Sequence, residues 1–131
     1  MVREPDVAIE APAIPASVPL VRDLVVHVCR SLGVVPSILD DVALAVTEAA
    51  SNSARHAYPA FGRPGIIRVT VSVREDEVAL VVEDDGQGVT SLASADGPGL
   101  GLGIIGAVAD AADVGPTDEG RGTSVRMAFA R

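Results

Sequence analysis

The chain contains no lysine and no tryptophan, and its aromatic complement is Tyr58, Phe61 and Phe129. Its ten basic residues are all arginine, set against eighteen acidic ones, for a net charge of −8. An acidic chain without a basic stripe or aromatic stacking platforms lacks the surface that nucleic acid requires. Direct binding to DNA or RNA is therefore set aside. Cys29 is the single cysteine, which excludes an internal disulfide and a cysteine-based metal cluster. It lies in the apolar run Leu24-Val25-Val26-His27-Val28-Cys29 and is expected to be buried. No apolar run approaches membrane-spanning length, and the N-terminus shows no basic-then-apolar leader pattern. These absences lead us to expect a cytoplasmic protein with no membrane association.

With so few aromatics, the core must be built from valine, isoleucine, leucine and alanine. The 131 residues suffice for one domain with a proper core and leave little room for a second. We expect a single domain over 1–131, with a loose stretch at about residues 1–6.

Val7-Ala8-Ile9-Glu10-Ala11 reads as a short strand ended by Pro12 and Pro15. From about Ala16 to Leu32, Val18, Val21, Leu24, Val25, Val28 and Leu32 keep a helical period, and Gly33 supplies a stop. Ser37 is the expected N-cap of a central helix running to about Ala57, before Pro59. On that helix Leu39, Val42, Val46 and Ala49 form an apolar stripe. Glu48, Asn52 and His56 recur every four residues and stack on a different side. A polar helix face is commonly no more than a solvated one, so these three residues acquire meaning only in combination with the downstream part of the chain.

Two strands come next. Ile67, Val69, Val71 and Val73 alternate with Arg68, Thr70, Ser72 and Arg74, the period-two pattern of a half-buried strand. After the charged turn Glu75-Asp76-Glu77, Val78 to Val82 forms its hairpin partner. The stretch Val89 to Pro98 has no period and reads as a mobile loop. Gly99 to Gly103 leads into a short helix over Ile104 to Ala109, and after another turn Gly122 to Phe129 alternates as a final strand.

Several of these stretches can carry chemistry. Asp84-x-Gly86-x-Gly88 puts a carboxylate at a strand end, beside glycines that admit close backbone approach. Such a pattern is often a plain turn, but its carboxylate can also accept a hydrogen bond from an exocyclic amine such as that of adenine. Gly99, Gly101 and Gly103 precede a helix and expose N–H groups suited to phosphate. Gly101-x-Gly103-x-x-Gly106 matches the dinucleotide fingerprint in letters, but no strand directly precedes it, so that reading fails. Asn52 offers a neutral oxygen of the kind Mg²⁺ accepts beside phosphate oxygens and water. Glu48, one turn earlier, is placed to act as a base or to orient a water. His56 reads as a structural or helix-end residue, and a zinc site on Glu48 and His56 lacks further ligands.

In this order, Glu48-x-x-x-Asn52-x-x-x-His56, Asp84-x-Gly86-x-Gly88, Gly99-x-Gly101-x-Gly103 and Gly122-Thr123 resemble the nucleotide-binding boxes of the GHKL ATPase/kinase superfamily. Within it, Thr47 to Tyr58 is most similar to the anti-sigma factor serine kinases. The resemblance runs from about Val7 to Phe129. It implies an α/β two-layer sandwich, with a mixed, mostly antiparallel sheet and helices on one face. It implies ATP and Mg²⁺ as cofactors. Asp84 would hold the adenine amino group, Asn52 the metal, and the glycines at 86, 88, 99, 101 and 103 the nucleotide; Thr123 would support the adenine side. Glu48 would be the general base that deprotonates a serine on a partner.

The implied partners are an anti-anti-sigma factor with a STAS-type domain and a sigma factor, and the implied assembly is a homodimer. The alternatives are a nucleotide-binding regulatory module without phosphotransfer and the catalytic domain of a histidine kinase. The chain departs from the family at one place: Thr90 to Pro98 holds no arginine or lysine to meet the phosphates, and Asp96 is acidic. That departure bears on transfer more than on binding, and Arg55, Arg121 or a partner are the candidate replacements.

Overall fold

The computed structural model describes residues 4–56, 65–86, 102–118 and 122–131. Its elements run β1 (Val7–Pro12), α1 (Ser17–Ser31), α2 (Pro36–His56), β2 (Ile66–Val73), β3 (Glu77–Asp84), α3 (Leu102–Val108), β4 (Ala111–Gly115) and β5 (Thr123–Ala130). The five strands form one sheet in the order β1-β2-β3-β5-β4. Among the described residues all four pairings are antiparallel, so the expected mixed, mostly antiparallel sheet is antiparallel throughout the part described.

Strand alternation decides which face is covered. Ile67, Val69 and Val71 of β2, Val78, Leu80 and Val82 of β3, and Val125, Met127 and Phe129 of β5 are all buried. Their neighbours in sequence point the other way, and Arg68 and Arg126 among them are exposed. The apolar face carries the helices: α1 packs on β1 and β2, α2 on β2, β3 and β5, and α3 on α2 and β4. This is the two-layer sandwich that the resemblance implied. β-branched valines suit such a sheet because their stiff side chains pack on a pleated surface.

Both long helices keep their expected bounds closely, with local corrections. Gly33 takes φ +89°, a left-handed value that glycine adopts without strain, and the chain turns there from α1 towards α2. Helix α2 begins at Pro36, where a proline has no N–H to waste. Ser37 therefore sits inside the first turn and is not the N-cap. On α1 the buried stripe is Val18, Val21, Val25 and Cys29, whereas Leu24 and Leu32 are exposed and so is His27. Cys29 is fully buried as expected, and burial pushes its thiol up to about 11, against a smaller opposing pull from Arg131. On α2, Leu39, Val42, Val46 and Ala49 are all buried.

Strand β4 was not foreseen. Ala111-Ala112-Asp113-Val114-Gly115 is poor in β-formers, and it is a strand because it lies along the free edge of β5. Asp110 fastens its start: its N–H donates to the Ala128 carbonyl (2.9 Å), and its Oδ2 accepts from the Ala130 N–H (2.6 Å). Among the described residues, no helix is long and apolar enough to cross a membrane.

Candidate functional site

Asp84 ends β3, Thr123 begins β5, and the two are register partners. Helix α2 crosses this corner of the sheet and delivers Ser53 to it. Asp84 is only 7% exposed and Ser53 only 6%, so two polar side chains are buried together at the edge of an apolar core. Ser53 Oγ donates to Asp84 Oδ2 at 2.8 Å, and the Gly86 N–H donates to Oδ1 at 3.1 Å. The Thr123 backbone N–H also donates to the same carboxylate. Burial pushes the Asp84 carboxyl above its ordinary value; the donations from Ser53, Gly86 and Thr123 oppose that shift, and the neighbouring Asp85 adds to it.

The backbone at this corner leaves no room for variation. Gly122 has φ +66°, and a Cβ there would collide with the Asp84 carbonyl oxygen. Both constraints call for glycine, and close approach at Gly122 lets β5 start directly beside Asp84. Asp85 holds the next strand, its Oδ1 accepting from the Ile66 N–H at 3.0 Å.

The other end of the site lies on the outer side of α2. Glu48 and Asn52 are each half-buried, one turn apart. Asn52 Oδ1 accepts from the Arg55 guanidinium at 3.2 Å. A guanidinium can only donate, so this contact sets the amide with its oxygen towards Arg55. Its Nδ2 is buried and has no partner among the described residues. The oxygen therefore already faces a cation. A neutral amide oxygen is also of the kind a magnesium ion accepts beside phosphate oxygens and water. Among the described residues there is no cluster of three or more His, Cys, Asp or Glu that could hold a metal unaided.

Of the residues singled out from sequence, Asp84, Gly86 and Thr123 come together, and Glu48 and Asn52 share the neighbouring helix. Gly103 lies in α3, which packs on α2; a Cβ there would meet nothing within 4 Å. Gly88, Gly99 and Gly101 lie outside the described residues, as do the loop 90–98, Arg121 and the side chain of His56. Ser53 was missed. Its signal was its position: it extends the stripe of Val46, Ala49 and Ala50 by one turn, placing a hydroxyl where a core residue belongs.

A family profile described as histidine kinase-like ATPase domain matches residues 11–129. The chain belongs to that family. Among curated members with similar sequences, a serine-protein kinase RsbW of Bacillus licheniformis is 31% identical over 80 residues, 61% of this chain and 50% of that protein. A serine-protein kinase RsbW of Staphylococcus aureus is 30% identical over 84 residues, 64% of this chain and 53% of that protein. The chain thus spans about half the length of the curated relatives it matches. A histidine kinase domain from the Erythrobacter litoralis EL346 blue-light activated histidine kinase superposes with a TM-score of 0.56 at 18% identity, covering 90% of this chain and 60% of that one. At that identity the likeness concerns the fold. For a histidine kinase-like ATPase domain, the Asp84 corner and the Asn52 face of α2 form two ends of one candidate site.

Proposed function

We propose that the chain is an ATP-binding serine-protein kinase of the anti-sigma type, with its nucleotide between α2 and α3. The observation that carries the reading is the Asp84 carboxylate, buried beside α2 and held as a hydrogen-bond acceptor by three donors. An adenine 6-amino group would supply a further donor to such a carboxylate. Similarity to serine-protein kinases of two bacteria gives the reaction class its support.

In this reading Asp84 selects the base, with Gly86 and Thr123 beside it, and Gly88 is assigned to nucleotide binding by its place in the motif. Backbone N–H groups of Gly99, Gly101 and Gly103 meet phosphate. Asn52 would hold Mg²⁺, which would supply neutralisation of phosphate charge. Glu48 accepts the proton of a serine hydroxyl on the partner as that oxygen bonds to the γ-phosphorus, while the bond from that phosphorus to the β–γ bridging oxygen breaks and ADP leaves. The partner is an anti-anti-sigma factor with a STAS-type domain. Its phosphorylation releases it and frees the kinase, acting as a homodimer, to sequester a sigma factor. A second reading, nucleotide binding without transfer, is favoured by one specific feature, the lack of arginine and lysine in 90–98.

The deciding experiment is the thermal midpoint with and without Mg²⁺ and ATP, for the parent and for Asn52→Ala. Ligand at a hundred times its dissociation constant adds about 2.7 kcal/mol, which moves a domain of this size by roughly ten degrees. The parent shift should require Mg²⁺ and shrink in Asn52→Ala; no parent shift at millimolar ATP would overturn the nucleotide reading. Transfer of labelled phosphate to a STAS-domain serine, abolished in Glu48→Gln, then separates kinase from binding module.

A further inference from the structure

Helical serines and threonines normally turn their hydroxyls back on the carbonyl four residues earlier. Thr47 of α2 does this, donating to the Ala43 carbonyl at 2.7 Å. Ser53, on the same helix, does not: its hydroxyl crosses to a different element and donates to Asp84 Oδ2 at 2.8 Å, in a buried setting. A serine hydroxyl has a single proton to give, and here the carboxylate receives it.

An ionised carboxylate offers about four lone-pair sites. Among the described residues, Ser53, Gly86 and Thr123 fill three of them. Among those residues one acceptor position is left, and the Ser53 bond fixes the rotation of the carboxylate plane that aims it. A purine bearing a 6-amino group presents a donor to that position, whereas a 6-oxo group presents lone pairs to lone pairs.

Resting on the nucleotide-binding reading above, we infer that Ser53 is a positioning residue for base selection: its hydroxyl aligns the Asp84 carboxylate to accept from the 6-amino group of adenine. It acts through Asp84 and does not itself touch the base.

The test is a cycle between one side chain and one substituent of the ligand, read by isothermal titration calorimetry in Mg²⁺. The proteins are the parent, Ser53→Ala, Ser53→Cys and Ser53→Thr; the ligands are ATP and purine riboside 5′-triphosphate, which lacks the 6-amino group. The parent should prefer ATP. Ser53→Ala should lose about tenfold of that preference, the scale of one hydrogen bond to a charged group, with affinity for the 6-unsubstituted nucleotide unchanged. Ser53→Cys, similar in shape but a weak donor, should lose preference likewise, which keeps the test decisive if the alanine variant does not fold. Ser53→Thr retains the hydroxyl and should retain the preference.

Equal weakening of both nucleotides in Ser53→Ala would make the hydroxyl merely structural and overturn the inference, as would an unchanged preference. A parent that binds both nucleotides without favouring ATP would instead remove Asp84 from the base site. A parent that binds neither would overturn the nucleotide reading and the inference together.

Discussion

Ser53 and Asn52 are adjacent in α2 and meet opposite fates. Ser53 turns into the core and is consumed by a buried carboxylate, while Asn52 turns outward, half-buried, to an exposed arginine. One end of the site is thus built by the fold itself, with strand pairing, a glycine contact and three donors on one carboxylate. At the other end, among the described residues, Asn52 meets one exposed arginine. In the proposed reading, the rigid corner would take the base and the other end the phosphates, a sensible division of labour. Selectivity needs buried polar groups whose mispairing is costly, whereas phosphate charge can be met by ions and flexible cations.

The contrast can be broken most forcefully at Gly122. Gly122→Ala adds a Cβ against the Asp84 carbonyl at a left-handed φ and should cost about 3 kcal/mol of stability, strain and displaced backbone combined. Urea unfolding measures it. A loss below about 1 kcal/mol would mean that the corner is far less rigid than its geometry implies.

Asp84→Asn probes the same corner more gently. It should weaken ATP binding by about 2 kcal/mol, since a charged acceptor is lost, yet leave the fold at neutral pH no less stable. The sign follows from burial, which raises the folded-state pKa of Asp84 above 3.8. A group raised in this way contributes its stability fully below 3.8 and loses it as pH rises through the raised folded value. The midpoint of the parent minus that of Asp84→Asn should therefore fall as pH climbs through that window. A pH-independent difference would show that the carboxylate pays no burial cost.

The smallest effect is expected at the Asn52 end. Arg55→Ala removes an exposed contact to Asn52 and should change stability by no more than roughly 0.5 kcal/mol, measured by the same urea curves. A larger loss would mean that Asn52 and Arg55 form a built cluster, and the contrast with Ser53 would disappear.

What could be read ahead of the structure was what depends on near neighbours in sequence. The stripe Leu39, Val42, Val46, Ala49 follows from helical period, and the alternation of Ile67, Val69 and Val71 from strand period; all seven are buried. The glycine at the end of α1 was legible because a left-handed residue must stop a helix there. Errors arose where long-range packing decides. Leu24 and Leu32 fit the helical period of α1 but lie on the flank that the sheet does not cover. Ala111 to Gly115 has little strand character of its own and becomes β4 because β5 offers it an unpaired edge.

The candidate site divides along the same line. The four-residue spacing of Glu48, Asn52 and His56 put them on one side of α2, because helical geometry is local, and the order of the glycine-bearing boxes pointed to the family. That Ser53, rather than its neighbour Asn52, reaches Asp84 across 31 positions of chain was decided by tertiary structure. The bond depends on how α2 lies across β3 and β5, and on a glycine at 122 that brings those strands together. Such contacts are set by packing over the whole sheet, a quantity no short window of residues contains.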